Sequence, residues 1–448
     1  MSQGPELFAL DDLRVIDLTD ECGVYAAKLF ADLGADVIRV ESPKGDPLRT
    51  QHPLFDPGPE SGAVGPVSLP YLHFNSNKRA IALDLETSEG RVVLERLIGD
   101  ADVVLESYHP TEAERIGLSA DRLASVNRQL VHTSITGFGL SGPHRDYISS
   151  DLVAQAMSGL MVLTGFPDDP PARLPAAQAY HQVSLEAAVG TMAVILQRDL
   201  GGGGGHVELS MQDALAVSTA QTANLNHWTQ LKVVPLRAGT GNPARTFEVD
   251  DDGAVTAGGH GAAPRRTIFE CSDGWAVITP RLVDWEPSVA WLSELGDASA
   301  LTAPKFDDPA ARQLADFYPV IERLVANVPV ERVYHGGQAH GLLNAPVRTM
   351  AGLFEDEQLR ARGFFVELEH PELGTTLTYA GAPYQLSETP WQLRRPAPRA
   401  GEHTEEVLRD LSYSDTEIAR LAEQGVVRLE HALVGRTAEL RHAERDPS

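Results

Sequence analysis

Apolar and polar positions along the first ~140 residues alternate in blocks that predict repeated strand, helix, strand units. "LRVID" at 13–17 is a short apolar run closed by an acid, "YAAKLFADLGA" takes up helical spacing, and "DVIRVE" is a second run, with Gly34 as the helix stop. A second unit follows in "KRAIALDLE", "TSEGRVVLERLIGDA" and "DVVLES", its helix capped by Thr87 or Ser88. The short helix "SADRLASVN" and the run "LVHTSITGFG" continue the series. The pattern is that of a doubly wound α/β sheet.

Further on, residues 151–163, "DLVAQAMSGLMVL", are apolar almost all round, which predicts a helix buried on most faces. "HQVSLEAAVGTMAVILQRDL" is another such helix. "GGGGG" then leads into the strand "HVELS" as a turn, because a phosphate loop needs a strand before it and a helix after it. Residues 226–266 are loops rich in Gly, Pro, Arg and Asp, and "TIFECSDGWAVIT" predicts a hairpin turning at Asp273-Gly274. Residues 281–350 are helical in character. "FFVELEHPELGTTLTYAGAPYQLSETP" returns to strands, and "RRPAPRAGEHTEEVL" reads as an ordered loop running into a helix. The expected division is 1–225 as the first part of a large domain, 226–345 as a smaller α+β domain, 346–428 as a return segment completing the large one, and 429–448 as a charged helical tail.

A length of 448 residues suits two domains, and 42% hydrophobic residues suffice for their cores. No uninterrupted apolar run reaches 18 residues, and "MSQGPELFALDDLRV" has neither a basic start nor an apolar core, so a cytoplasmic protein is expected. The two cysteines, Cys22 and Cys271, lie far apart without C-x-x-C spacing, and the 15 histidines show no ligand spacing; neither disulfides nor a metal site is predicted. A formal charge of −26 repels nucleic acid and anionic membranes, so an anionic ligand needs a local basic pocket. A nicotinamide dehydrogenase, suggested by the βαβ start and Glu41, fails at "TDECGV": one glycine and two acids stand where a pyrophosphate loop needs G-x-G-x-x-G.

Seven segments in order, "LRVIDLT", "KLFADLGADVIRVESPKGDPLR", "NSNKRAIALDL", "ADVVLESYHPTEAERIGL", "SITGFGLSGP", "SDLVAQAMSGLMVLTG" and "RRPAPRAGEHTEEVL", resemble the class III CoA-transferase family. That family groups formyl-CoA and carnitine-CoA transferases with 2-methylacyl-CoA racemases. The resemblance runs, with gaps, from about residue 10 to 428. It implies a Rossmann-like large domain formed by both chain ends, a small domain between them, an interlocked homodimer, and coenzyme A as a substrate without a permanently bound cofactor. It also implies CoA contacts from Cys22 and Gly23 in the first strand-to-helix turn, from Leu83 to Leu85, from Ser107 and Tyr108, and from Arg115. Cys22 stands where the family often has Gln, and Ser42 where it has a basic residue; Arg39, Lys44 and Arg49 are left as sources of positive charge for CoA phosphates. Plainer readings exist: Arg115 as a solvated helix residue, Tyr108 as a packed aromatic, and "NSNKR" as a turn closed by Asn side chains with Lys78 and Arg79 exposed.

In the transferase branch an Asp at a helix start attacks the acyl-CoA carbonyl, and anhydride and aspartyl-CoA thioester intermediates follow. A helix N-terminus keeps that acid ionised and stabilises charge on the carbonyl oxygen. Counting back from Arg198 and Gly190, the position falls on Tyr180 of "QAYHQ". Tyrosine ionises near pH 10, so His181 is the substitute base or nucleophile, unless it merely caps or packs. Glu186 points to a different face of the helix. Asp151 opens its own apolar helix and reads as that helix's cap, while the resemblance places it in the active-site lining. The His–Asp pair of the racemase branch would fall on Ser150 and near Ala179 or Tyr180, which disfavours ordinary α-proton exchange. "AGGHGAA", 257–263, matches the family's loop over the acyl group or is a surface loop. The expected activity is CoA transfer between an acyl-CoA thioester and a free carboxylic acid, with Asp151, His181 and Tyr180 as candidate catalytic residues. The alternatives are a catalytically silent CoA-binding subunit paired with a paralogue that carries the Asp, or an acyl-CoA racemase or isomerase with altered residues.

Overall fold

The computed structural model describes residues 7–58, 65–166, 168–218, 229–230, 232, 241–242, 247–249, 255–257 and 265–430. It contains two compact units, one drawn from Met1–Ser158, Pro175–Ser218 and Gln358–Ser448, the other from Gly159–Leu174 and Thr219–Glu357.

In the first unit the apolar runs become strands, and the inner ones are buried on both faces, as parallel strands between helix layers must be. They are β1 (Arg14–Leu18), β2 (Asp36–Glu41), β3 (Arg79–Leu83), β4 (Val103–Glu106), β5 (Val131–Thr136), β6 (Gly205–Ser210) and β7 (Val427–Arg428). Their order is β7-β3-β2-β1-β4-β5-β6. All neighbours are parallel except β7, which runs antiparallel to β3 through Val427 opposite Leu83. Strand order reverses between β1 and β4, and the crevice outside their carboxyl ends is where such sheets bind ligands. Up to Asp199 its α-helices are α1 (Val24–Asp32), α2 (Leu69–Asn75), α3 (Ser88–Gly99), α4 (Pro110–Ile116), α5 (Ala120–Val126), α6 (Asp151–Met157) and α7 (Gln178–Asp199), and the return segment adds Thr404–Asp410 and Asp415–Glu423. Thr87 caps α3, its side chain accepting from the Gly90 N–H.

One core cluster joins Ile16, Ile38, Ile81 and Val104 of the sheet to Leu94, Leu97 and Ile98 of α3 and to Val407, Leu408 and Leu421 of the return segment. Leu83 and Leu85 belong to it. Gly23 lets α1 start hard against the sheet: a Cβ there would stand 2.7 Å from Thr19 Cγ2 and 2.9 Å from Ile135 Cδ1. Gly23→Ala is expected to cost about 1–3 kcal/mol by overpacking, read as a lowered urea midpoint. The glycine run is a turn, with Gly201 at φ +97° and Gly204 so near the backbone that a Cβ would lie 2.2 Å from the Leu130 carbonyl oxygen.

Three expectations need correction. Lys78 and Arg79 are buried, not exposed. Lys78 Nζ donates to Asp17 Oδ2 at 2.8 Å and Asn75 Oδ1 at 3.1 Å, and Arg79 pairs with Asp36, Glu406 and Asp410. The Asn77 side chain (φ 66°) ties this turn to the return segment, accepting from the backbone N–H groups of Arg394 and Arg395 at 2.7 and 3.1 Å. Second, α6 ends at Met157, and Leu152, Val153 and Met157 are exposed. On α7, Leu185, Val189, Met192 and Leu196 form an exposed stripe at helical spacing. Third, the hairpin of the second unit pairs Cys271 with Gly274, so its turn residues are Ser272 and Asp273. Asp273 is held there by the Val330 N–H, which it accepts at 2.8 Å.

That unit has a three-stranded sheet of Ile268–Cys271, Gly274–Ile278 and Asn344–Pro346, backed by helices Trp285–Leu295, Phe317–Val325 and Val330–Ala339 around Trp291, Phe269 and Phe317. Of the glycine-rich segment 257–263 only Ala257 is among the described residues, and of the tail only 429–430. Among the described residues no helix is long and apolar enough to cross a membrane, and no group of three or more His, Cys, Asp or Glu is placed to hold a metal ion.

Candidate active site

At the carboxyl ends of β1, β2 and β4 lies a cavity of about 590 Å³, lined among others by Thr19, Asp20, Glu21, Arg39, Ser42, Gly45, Ser107, Tyr108 and His109. A smaller cleft of about 180 Å³ shares Asp20, Ser107, Tyr108 and His109 with it and reaches Cys22, Thr136, Gly137, Arg145, Tyr147, Ser149 and Tyr180. The shared wall is fixed by Ser107, whose Oγ accepts the Asp20 N–H at 2.6 Å and donates to Asp20 Oδ1 at 2.8 Å. Tyr108 is held by its own N–H, given to Glu106 Oε2 at 2.9 Å.

Under the larger cavity sits a closed ionic network. Arg39 donates from Nη1 to Asp17 Oδ2 at 2.9 Å and from Nε to Asp46 Oδ2 at 2.7 Å, and Arg49 grips Glu41 with bonds of 2.7 and 2.8 Å. Both arginines named as partners for phosphates therefore already have internal carboxylates. Lys44 is the exception: it is exposed, on the turn between the lining residues Ser42 and Gly45.

Cys22 and Gly23 stand in the β1–α1 turn as expected. The Cys22 thiol is buried, and desolvation together with Asp20 pushes its pKa well up, which leaves it inert. Leu83 and Leu85 are core residues. Arg115 is outside both cavities, on the surface of α4, pairing with Glu86 at 2.5 Å and with Glu112.

The mouth of α7 is built unusually. Ala176 and Ala177 both have positive φ, 62° and 50°, conformations that non-glycine residues adopt at a cost. No side chain of α7's own N-cap satisfies its first N–H groups. Asp151 does so from another helix: Oδ1 accepts the Ala179 N–H at 2.8 Å, and Oδ2 accepts from Gln155 Nε2 at 2.8 Å. Asp151 thus caps α7, whereas its own helix α6 is capped by Ser150. Tyr180 lies one residue past that clamp and lines the small cleft. Burial pushes its phenol up to about 12, the Asp151 backbone N–H pulling the other way. His181 is absent from the lining of that cleft; its ring packs on Tyr25 and Phe74, centroids 5.4 and 5.9 Å away, and burial lowers its pKa against the pull of Asp151.

The crevice lies at the switch point of a doubly wound sheet, where such folds bind ligands, and comparison with known proteins decides the lineage. The family model described as CoA-transferase family III matches residues 10–404. The chain belongs to CoA-transferase family III. It is 36% identical over 424 residues to the succinyl-CoA:(R)-benzylsuccinate CoA-transferase subunit BbsE of Thauera aromatica, covering 92% of this chain and 97% of that one. It is 33% identical over 425 residues to a formyl-CoA:oxalate CoA-transferase of Streptomyces avermitilis, covering 94% and 99%. Among solved structures, a CAIB/BAIF family protein from Brucella suis superposes with a TM-score of 0.75 at 26% identity, covering 90% and 99%.

Within this member of CoA-transferase family III the cleft also gathers residues that sequence reasoning passed over: Arg145, Tyr147, Thr136, Gly137 and Met211. The signal available was "TGFGLSGPHRDY", a glycine-rich exit from β5 with an aromatic cluster; in the fold His144 stacks on Tyr147 and Phe138 meets both rings edge-on.

Proposed function

We propose that the chain binds an acyl-CoA with its nucleotide end in the larger cavity and its thioester in the smaller cleft, and that CoA passes from that thioester to a free carboxylic acid. The observation that supports this most is the wall shared by the two cavities, Asp20, Ser107, Tyr108 and His109, which makes one path from the switch point to the mouth of α7. Calorimetry with CoA and acetyl-CoA tests it; absence of heat with both would end it. Lys44→Glu is expected to weaken CoA binding by about 1 kcal/mol at low salt, with the loss fading as salt is raised, since an exposed cation acts through a screened field.

Tyr180 takes the place of the family's nucleophilic Asp. A phenol that ionises near 12 is an anion in roughly one molecule in 10⁵ at neutral pH, so it acts as a hydrogen-bond donor to the thioester oxygen and not as the attacking group. The transfer balances without a protein nucleophile. The acceptor carboxylate attacks the thioester carbonyl, the C–S bond breaks, and CoA leaves as thiolate with a mixed anhydride formed. The thiolate then attacks the acceptor's carbonyl in that anhydride, and the donor acid departs as carboxylate. Initial-rate lines for the two substrates are then expected to intersect, and parallel lines with a hydroxylamine-sensitive protein adduct would refute this route.

A second reading is the silent subunit. Asp151, the carboxylate that caps α7, is committed to the Ala179 N–H and Gln155, and the 36% identical relative is itself named a subunit. This reading needs a partner chain, and the exposed α7 stripe supports one. Val189→Asp combined with Leu196→Asp is expected to shift the assembly to monomer in size-exclusion chromatography with light scattering, each buried aliphatic contributing about 1.5–3 kcal/mol.

A further inference from the structure

Away from the crevice, a cavity of about 300 Å³ opens in the first unit between Pro371–Glu372 and the segment from Arg395 to His403. Pro371, Pro396 and Pro398 stiffen its walls by fixing φ. Its ionic groups are unequally served. Glu372 faces His370 Nδ1 at 2.9 Å; Glu402 accepts the Arg399 backbone N–H at 2.7 Å, and Arg399 is further paired with Glu430 at 2.5 Å. Arg395 has no carboxylate partner among the described residues. Its hydrogen bonds run from Nε and Nη2 to the carbonyl oxygen of Asn77, at 3.2 and 2.9 Å. Burial, with Arg394 and Arg79 close by, lowers its pKa, while Asp36 and Glu406 pull the other way from a distance. His403 adds a second donor: its Nδ1 accepts the Ala80 N–H at 3.2 Å, so in the neutral ring the proton sits on Nε2.

We propose that this cavity binds a small organic monocarboxylate, held by Nη1 of Arg395 and the Nε2–H of His403. One cation with no carboxylate in direct contact among the described residues calls for one negative charge, and Glu372 and Glu402 in the same walls oppose a dianion such as phosphate. The volume is that of a small-molecule site and far exceeds a bare ion. The assignment is independent of what occupies the switch-point crevice.

The test is ¹⁹F NMR of 4-fluorobenzoate titrated into the full-length protein, with inorganic phosphate as competitor. Saturable broadening is expected, with little competition from phosphate. Arg395→Met is expected to weaken binding at least about tenfold, the loss of a charge-assisted hydrogen bond. Glu402→Gln, which removes a repelling charge from the wall, is expected to tighten it about two- to fivefold. Equal affinity in wild type and folded Arg395→Met overturns the site, and phosphate binding tighter than fluorobenzoate overturns the ligand class. If Arg395→Met fails to fold, Glu402→Gln decides by itself: unchanged or weaker binding overturns the proposal, tighter binding supports it.

Discussion

Asp17→Ala is expected to lower the free energy of unfolding by about 3–5 kcal/mol at pH 7, the range for breaking a buried ionic group from one side. Asp17 is fully buried at the end of β1. Its Oδ2 accepts from Arg39 Nη1 at 2.9 Å and Lys78 Nζ at 2.8 Å, and its Oδ1 from the Thr19 N–H at 3.0 Å and hydroxyl at 2.6 Å. Removing it leaves buried Lys78 with only neutral partners, the Val24 carbonyl and Asn75, and leaves Arg39 with Asp46 alone. Desolvation pushes the Asp17 carboxyl up, but Arg39 and Lys78 outweigh it and hold the carboxyl well below the usual range. A depressed carboxylate contributes its stability above the unfolded pKa of about 3.9 and loses it as pH falls through the folded value. The gap between wild type and variant is therefore expected to be full at pH 5 to 7 and to close only below about pH 4. Lys78 carries the cost of the arrangement, burial lowering its pKa to about 8 against the pull of Asp17. Replacing both, as Asp17→Leu with Lys78→Met, still leaves Arg39 beside Asp46 and is expected to recover part of the loss. Guanidinium denaturation reads all three, and a loss below 1 kcal/mol in Asp17→Ala would show that the network is not closed.

The same network shows where reading the chain stopped. The strands of the sheet were legible because parallel strands covered on both faces need unbroken apolar runs, and "LRVID", "DVIRVE" and "DVVLES" supply them. Lys78 and Arg79 were misjudged because their neutralising partners, Asp17 and Glu406, lie far away in the chain and come close only through sheet pairing and the return segment. Asp151 was rightly seen as a cap, but of the wrong helix; a bond across 28 positions leaves no local signature. The apolar texture of α6 and α7 was visible, yet exposed stripes and buried cores share one composition, and only coordinates separate them. The hairpin shifted by one residue because Asp273 serves the Val330 N–H as well as the turn.

The largest functional effect is expected at position 180. If the neutral Tyr180 phenol stabilises charge developing on the thioester oxygen, Tyr180→Phe removes one preorganised donor and lowers kcat for CoA exchange by about 10²–10³, with KM for the acyl-CoA and the melting temperature little changed. The pH profile separates this role from packing. A donor held at about 12 keeps its proton throughout the neutral range, so the wild-type rate should show no tyrosine ionisation between pH 6 and 9. Tyr180→Asp is the complementary experiment. It places a carboxylate on the first turn of α7, where the helix dipole favours the anion and Asp151 opposes it. Exchange by this variant should change from intersecting to parallel initial-rate lines and become sensitive to hydroxylamine, because attack now begins on the protein. If Tyr180→Phe leaves the rate of the native assembly untouched, the phenol has no part in the chemistry. A partner subunit then carries it, and the exchange should vanish on replacing that partner's nucleophilic acid.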